Sequence, residues 1–250
     1  MGLAVRVIPV ILARGRTMVK GQQFNAWRSV GLAAQAVRIH QQRGVDEVCL
    51  LDIGATPEGR GPDLDLVREL SADCFSPLAV GGGVRSLADV RALLEAGADK
   101  VVCCTFALER QSFIEECAAI VGSQAIVVAI DVREPGYPCS RSGTMRWDLM
   151  GAATWARGVA NAGAGEILLT SVEREGTMQG YDLDLIRSVS QAVGIPVIAH
   201  GGAGKYHDMV EAVQAGASAV AAGAMFQFTD QTPKDAARYL QQHGIEARIQ

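Results

Sequence analysis

A closed α/β barrel of eight parallel strands is predicted for this chain by three observations: an internal repeat, a regular alternation of strand and helix patterns, and a length that suits eight such units. Shifted by 119 residues, the sequence matches itself. Gly44-Val45-Asp46-Glu47-Val48 returns as Gly163-Ala164-Gly165-Glu166-Ile167, and Gly97-Ala98-Asp99-Lys100-Val101 returns as Gly216-Ala217-Ser218-Ala219-Val220. Val80-Gly81-Gly82-Gly83 reads against His200-Gly201-Gly202-Ala203 at a shift of 120, which implies one residue of slip between the matches.

Short β-branched runs lie at 5–12, 47–53, 77–81, 100–104, 126–131, 166–170, 196–199 and 219–223. Amphipathic stretches of helical period separate them, for example Val84 to Glu95 and Tyr206 to Ala215. Cap-like residues such as Ser86 open these stretches, and Gly97 and Gly216 close them. Eight strands and about eight helices in 250 residues is the size of a (β/α)8 TIM barrel. A doubly wound open sheet is the alternative. The repeat favours the barrel, because two four-stranded halves close on each other and leave no exposed edge. The expected organisation is one domain over residues 1–250, with halves of about 1–122 and 123–250.

With 49% hydrophobic residues and 28 glycines, the chain can bury a large core joined by tight connections. A net charge of −4, with no Lys/Arg run longer than two, argues against a nucleic-acid partner. The apolar runs Ile126 to Ile130 and Ala217 to Phe226 are too short to span a bilayer, and the N-terminus shows no charged-then-apolar signal pattern. A cytoplasmic protein without a membrane partner is expected. The six cysteines, at 49, 74, 103, 104, 117 and 139, include no C-x-x-C pair and no histidine at ligand spacing, so they read as core thiols and no metal is expected. His40 and His243 fall near helix ends and read as solvated.

In such barrels the chemistry gathers where the strands end, at their C-terminal side. The third strand runs into Gly81-Gly82-Gly83, the seventh into Gly201-Gly202-Ala203-Gly204 and the eighth into Ala222-Gly223. Glycines there let backbone N–H groups approach an anion, and a helix start adds a favourable dipole. One cradle in each half points to a phosphorylated small molecule, one bearing two phosphates. Tight turns alone are the bland alternative. Glu173-Arg174-Glu175-Gly176-Thr177, after the sixth strand, offers further polar contacts. Lys20 and Arg28 read equally as phosphate contacts or as solvated loop residues.

An ordered set of motifs across essentially the whole chain carries a family resemblance. It includes Ile8-Pro9, Val19-Lys20-Gly21, Leu51-Asp52-Ile53, Val80-Gly81-Gly82-Gly83-Val84-Arg85, Val127-Val128-Ala129-Ile130-Asp131, Leu168-Leu169-Thr170-Ser171, Gly176-Thr177, Gly180-Tyr181-Asp182 and Ile195-Pro196-Val197-Ile198-Ala199. In these the chain resembles the cyclase subunit of imidazole glycerol phosphate synthase (HisF). The resemblance implies a half-barrel-duplicated fold and a HisH-like glutaminase in a heterodimer, with no cofactor. Ammonia would pass along the barrel axis to a phosphorylated substrate. It further implies Asp131 as a catalytic acid/base and phosphate contacts at Gly82, Gly83, Thr105, Gly176, Thr177, Gly201, Gly202, Ala222 and Gly223. An ammonia gate of Arg6, Glu47, Lys100 and Glu166 and a partner contact at Asp99 complete the set.

The family pairs two aspartates, one ending the first strand and one ending the fifth, so that one accepts a proton while the other donates. Here the fifth-strand residue is Asp131, but the first-strand position is Leu12, and the 119-residue repeat sets the same two opposite each other. Cys104 stands where the family has Asn, His200 where Ser is common, and Glu173 and Glu175 where aspartates are usual. The stretch from Tyr137 to Leu149 lacks the family's small lysine-containing glycine loop. The gate residues, in contrast, are all of the right type. The expectation is therefore a diverged paralogue that receives ammonia and passes it to a changed acceptor, such as a nucleotide sugar being amidinated in polysaccharide biosynthesis. The resemblance to that system also implies a third, amidotransferase subunit. The alternatives are a histidine-pathway cyclase (a lyase), with Glu175 replacing the missing acid, and a non-catalytic scaffold that activates a glutaminase. The related isomerase also needs an aspartate at Leu12, which counts against it.

Overall fold

A computed structural model of the chain describes residues 4–134, 136–140, 143, 145–146 and 150–248. Much of the stretch from residue 141 to Leu149 therefore lies outside the described residues. In the first half, β1 (Arg6–Arg14) leads into an antiparallel hairpin of β2 (Thr17–Gln22) and β3 (Asn25–Leu32). Next come α1 (Ala33–Gln42), β4 (Val48–Asp52), α2 (Leu64–Ala72), β5 (Leu78–Gly81), α3 (Leu87–Glu95), β6 (Lys100–Cys103), α4 (Thr105–Glu109) and α5 (Ser112–Val121). The second half repeats the order: β7 (Ile126–Arg133), the hairpin β8 (Tyr137–Ser140) and β9 (Met145–Arg146), α6 (Ala152–Asn161), β10 (Glu166–Ser171), α7 (Leu183–Ser190), β11 (Val197–His200), α8 (Tyr206–Gln214), β12 (Ala219–Ala222), α9 (Ala224–Phe228) and α10 (Pro233–Gln242).

Eight of these strands close into a parallel barrel in the order β1-β4-β5-β6-β7-β10-β11-β12. The ring is completed by β12 beside β1, in register from Arg6 opposite Ala219 to Pro9 opposite Ala222. The predicted (β/α)8 barrel is the observed fold, and the strand bounds differ from the predicted runs by one or two residues. The strict alternation does not hold. β1 and β7 run past the barrel rim and turn back into hairpins, with Arg14 opposite Thr17 and Asp131 opposite Cys139.

The 119-residue shift holds through α4 and α9, with no slip at the glycines, and α10 then begins 121 residues after α5. Gly82 and Gly201 correspond, with φ of 116° and 92°; a methyl at the first would fall 2.4 Å from the Asp52 carbonyl oxygen, and at the second 2.7 Å from that of Ser171. Asp63 caps α2 by accepting from the Leu66 N–H, and Asp182 caps α7 by accepting from Leu185, both at 3.0 Å. At the other end of the unit, Gly97 and Gly216 take φ of 109° and 113°, which L side chains resist. Ser71 and Ser190 pack beneath them and donate to the carbonyls of Ala96 and Ala215.

Two apolar shells result. One fills the space between barrel and helices. The other, inside the barrel, includes Ile8, Val10, Leu12, Cys49, Ala79, Val102, Val127, Leu168 and Ile198. Four of the six cysteines are buried. His40 is a correction: it is buried at 6% exposure near Phe226, because α1 turns that face inward, and burial lowers its pKa to about 4. Among the described residues no helix is long and apolar enough to cross a membrane.

If the repeat is also energetic, Gly97→Ala and Gly216→Ala should each lower unfolding free energy by about 1–3 kcal/mol, from the positive φ and the serine beneath. In the double variant the two losses should add to within about 0.5 kcal/mol. Urea unfolding of the three variants checks this.

Candidate functional site

At the C-terminal ends of the strands a cavity with about 830 Å3 of empty space, open in part to solvent, is walled by both halves. Leu12, Leu51, Asp52, Ile53, Gly82, Gly83, Val84, Val102, Cys104 and Thr105 come from the first half. Ala129, Asp131, Thr170 and His200 come from the second, and Phe24 and Trp27 reach in from the first hairpin. The predicted Asp131, Gly82, Gly83 and Thr105 thus share one wall system. Opposite Asp131 stands Leu12, 3% exposed, within the apolar inner shell.

Asp131 is held at the rim because β7 continues two residues beyond it before folding back. Its carboxylate accepts from the Cys104 thiol at 3.6 Å and is hydrogen-bonded to the Thr170 hydroxyl. Burial pushes its pKa up to about 6, with those bonds opposing the rise. The chain of contacts continues: Thr170 Oγ1 lies 3.2 Å from His200 Nδ1. Across the ring, Nε2 stands 3.5 Å from Glu175 Oε2, and no aligned hydrogen bond closes that gap. Burial keeps His200 below its ordinary pKa and therefore neutral at pH 7.

The remaining cradle residues are not part of the cavity wall. Gly176 packs on the Gly21 carbonyl, and the Thr177 hydroxyl donates to Arg174. Gly202 sits against Gly180, and Gly201 against Ser171. Beside Gly223 and the buried end of Ala222 lies the Lys20 ammonium, 2.3 Å from where a methyl at Gly223 would fall. Lys20 is 3% exposed and donates to the Val10 carbonyl at 3.1 Å; burial lowers its pKa to about 8 while Glu175 opposes the drop. Arg28 faces outward over the Phe228 ring.

Several cavity residues were not singled out from the sequence. Asp52, on the first-half rim of the cavity, is held from behind by Arg60 in a two-pronged ion pair at 2.6 and 3.0 Å. Phe24 and Trp27 went unread because their hairpin turns through Gln23 and Phe24, both at positive φ (53° and 60°), without the Asn-Gly signature of such turns. The hairpin tip rests on the loop after β10: Gln23 N–H donates to the Glu175 carbonyl, and its amide donates to Glu173.

At the opposite end, Arg6, Glu47, Lys100 and Glu166 form a closed square. Arg6 meets Glu47 at 2.5 Å and Glu166 at 3.0 Å; Lys100 meets them at 2.9 and 3.1 Å. The charges sum to zero. A small cavity lined by Ile8, Cys49, Ala79, Val102, Val127, Leu168 and Ile198 sits directly above Glu47. Val102 borders both this space and the mouth cavity, so the axis holds two cavities in series. Asp99 is exposed at the same end, its carboxylate accepting from Leu78 at 2.8 Å.

The raised Asp131 pKa has a stability consequence. Between its unfolded value near 3.8 and its folded value of about 6, the unfolded chain ionises first, and above that the fold must hold a carboxylate it solvates poorly. Asp131→Asn should therefore gain stability relative to the parent as pH rises from about 4 to about 7, by at most about 3 kcal/mol, less whatever the open cavity screens. Urea midpoints at the two pH values measure the difference.

With the barrel, its mouth and its lower square in place, the family model for histidine biosynthesis protein matches residues 6–232, from the first barrel strand to the cap of α10. The chain therefore belongs to the histidine biosynthesis protein family.

Proposed function

We propose that this chain is the ammonia-accepting, HisF-like subunit of a two-part glutamine amidotransferase, and that it hands ammonia to an acceptor other than the cyclase substrate. The observation that carries the reading is the contrast between the barrel's two ends. The square of Arg6, Glu47, Lys100 and Glu166 has each cation touching both anions, above which the interior is apolar. Such an interior admits neutral ammonia and rejects ions, because an unpaired charge there loses its hydration without compensation. At the mouth, only one of the two carboxylates that ring closure uses is present, since Leu12 faces Asp131. The cyclase alternative would need Glu175 as the second acid, and Glu175 is buried behind His200 rather than on the cavity wall.

A glutaminase partner is expected against the end that carries the square. Phe75, in the loop leading to β5, is 91% exposed there, and Asp99 is exposed nearby. A fully solvated aromatic ring beside polar neighbours suits the centre of a protein interface. The changed acceptor is an electrophilic phosphorylated sugar or nucleotide sugar, which would meet ammonia beneath Phe24 and Trp27.

Three measurements test the proposal. Supplied with ammonium salts and the cyclase's formimino substrate, the chain should form no imidazole glycerol phosphate; sustained turnover would establish the cyclase reading instead. Mixed with its glutaminase, Phe75→Asp should weaken association by tenfold or more, on the order of 1.4 kcal/mol, in a calorimetric titration. Arg6→Trp should stop glutamine-dependent ammonia transfer while glutaminase stimulation persists. Loss of neither would leave a scaffold as the better description.

A further inference from the structure

The four histidines of the chain divide by burial: His40 and His200 are interior, whereas His207 and His243 are exposed. His207 stands in the first turn of α8 and His243 caps the end of α10. The fold nevertheless brings these two imidazoles together, with ring centroids 5.9 Å apart. Tyr239, one turn back from His243, is the platform for both. His243 stacks on its ring at 4.2 Å, and His207 meets it at 6.4 Å with the planes perpendicular. Tyr239 is itself half-buried and packed against the core, so the pair has a fixed base.

Two features suit this pair to a transition-metal ion. The first is the tautomer of His243, whose Nδ1 lies 2.9 Å from the Tyr239 carbonyl oxygen. A carbonyl only accepts, so the bond places the hydrogen on Nδ1 and leaves Nε2 with a free lone pair. An imidazole that donates its other N–H to a backbone carbonyl is the usual state of a metal-bound histidine, fixed in one tautomer and one orientation. The second feature is spacing. With metal–nitrogen bonds of about 2.0–2.1 Å, two imidazoles on one ion hold their centroids roughly 5–6 Å apart. The observed 5.9 Å falls within that span. Among the described residues no third histidine, cysteine or carboxylate completes a metal-holding group, so water fills the remaining positions.

We propose that His207 and His243 bind one divalent ion of the copper(II) and nickel(II) class, which clips the end of α10 to the start of α8. Two imidazole nitrogens with water in the other positions suit these ions. Zinc(II) binds such a site less tightly than copper(II), and magnesium, which demands oxygen ligands, does not bind it. α10 is the last helix of the chain, and the Tyr206 ring of α8 meets its Tyr239 ring at 5.8 Å. An ion held by one side chain from each helix reinforces that contact. It binds the folded chain better than the unfolded one, where nothing holds the two imidazoles together, so stability rises with its concentration. The clip lies outside the barrel mouth and is independent of ammonia handover.

The test is a calorimetric titration of the chain with nickel(II) chloride, with magnesium chloride as the control, and it needs neither glutaminase nor acceptor. One nickel ion per chain is expected, and no heat of binding from magnesium. His207→Asn and His243→Asn should each lower the nickel affinity by about tenfold or more, no less than the loss of an outer-shell partner costs a metal site. Cys74→Ser, which removes a partly exposed thiol elsewhere, should leave it unchanged. In urea, the unfolding midpoint of the parent should rise with nickel(II), and neither histidine variant should show the rise. Absence of saturable nickel binding, an affinity that either histidine substitution leaves unchanged, or a midpoint rise that survives either one would overturn the proposal. Should one variant fold poorly, the other decides alone.

Discussion

Closure of the barrel by β12 beside β1 is the constraint on which the site depends. Once two like halves close into a ring, every position at the mouth occurs twice, half a turn apart, and the chemistry lies in how the copies differ. Leu12, Leu51 and Gly81 in the first half correspond to Asp131, Thr170 and His200 in the second. The two sets trade volume as well as polarity. A methyl at Gly81 would fall 2.8 Å from Val102 and 3.0 Å from Leu51, so a large residue on β4 demands none on β5. On β10 the smaller Thr170 leaves room for the His200 ring on β11. At these three positions one side of the mouth is thus apolar and the other polar, from a single backbone plan.

The other rim uses the repeat differently. Glu47 and Glu166 are related by the same shift, but the counterparts of Arg6 and Lys100 are Ala125 and Ala219. Had the cations also been duplicated, four positive charges would crowd two carboxylates. With one copy of each, both acids are shared by both bases and the square is neutral. Buried ion pairs offset their desolvation only when every partner is matched, and here each cation meets both anions.

The backbone plan was largely legible because β-branched runs, capping residues and glycines at positive φ each have a local physical signature, and the repeat doubled every signal. What escaped lacked such a signature. The first hairpin turns through Gln23 and Phe24, residues whose side chains do not advertise left-handed backbone. A wrong one-residue slip was read at the glycine loops because Ala203 is not glycine, whereas the requirement for positive φ lies at Gly82/Gly201 and Gly83/Gly202. His40 read as solvated because helical period alone does not show which neighbours cover a helix end. At the site, Asp131 and the square were legible as residue types. The contact from Thr170 through His200 to Glu175 was not, because it joins three segments whose side chains meet only after the ring closes.

Leu12 takes a definite place in this arrangement. An aspartate there would set two carboxylates across a narrow cavity, each raising the other's proton affinity, and the pair would manage protons between themselves. With leucine, Asp131 has its proton affinity raised chiefly by burial, and Glu175 contributes only as a more distant charge. The apolar side chain also extends the inner shell up to the point where the Asp131 wall begins. The two sides of the mouth therefore differ in polarity, an apolar Leu12 on one and an Asp131 backed by the buried Thr170, His200 and Glu175 on the other.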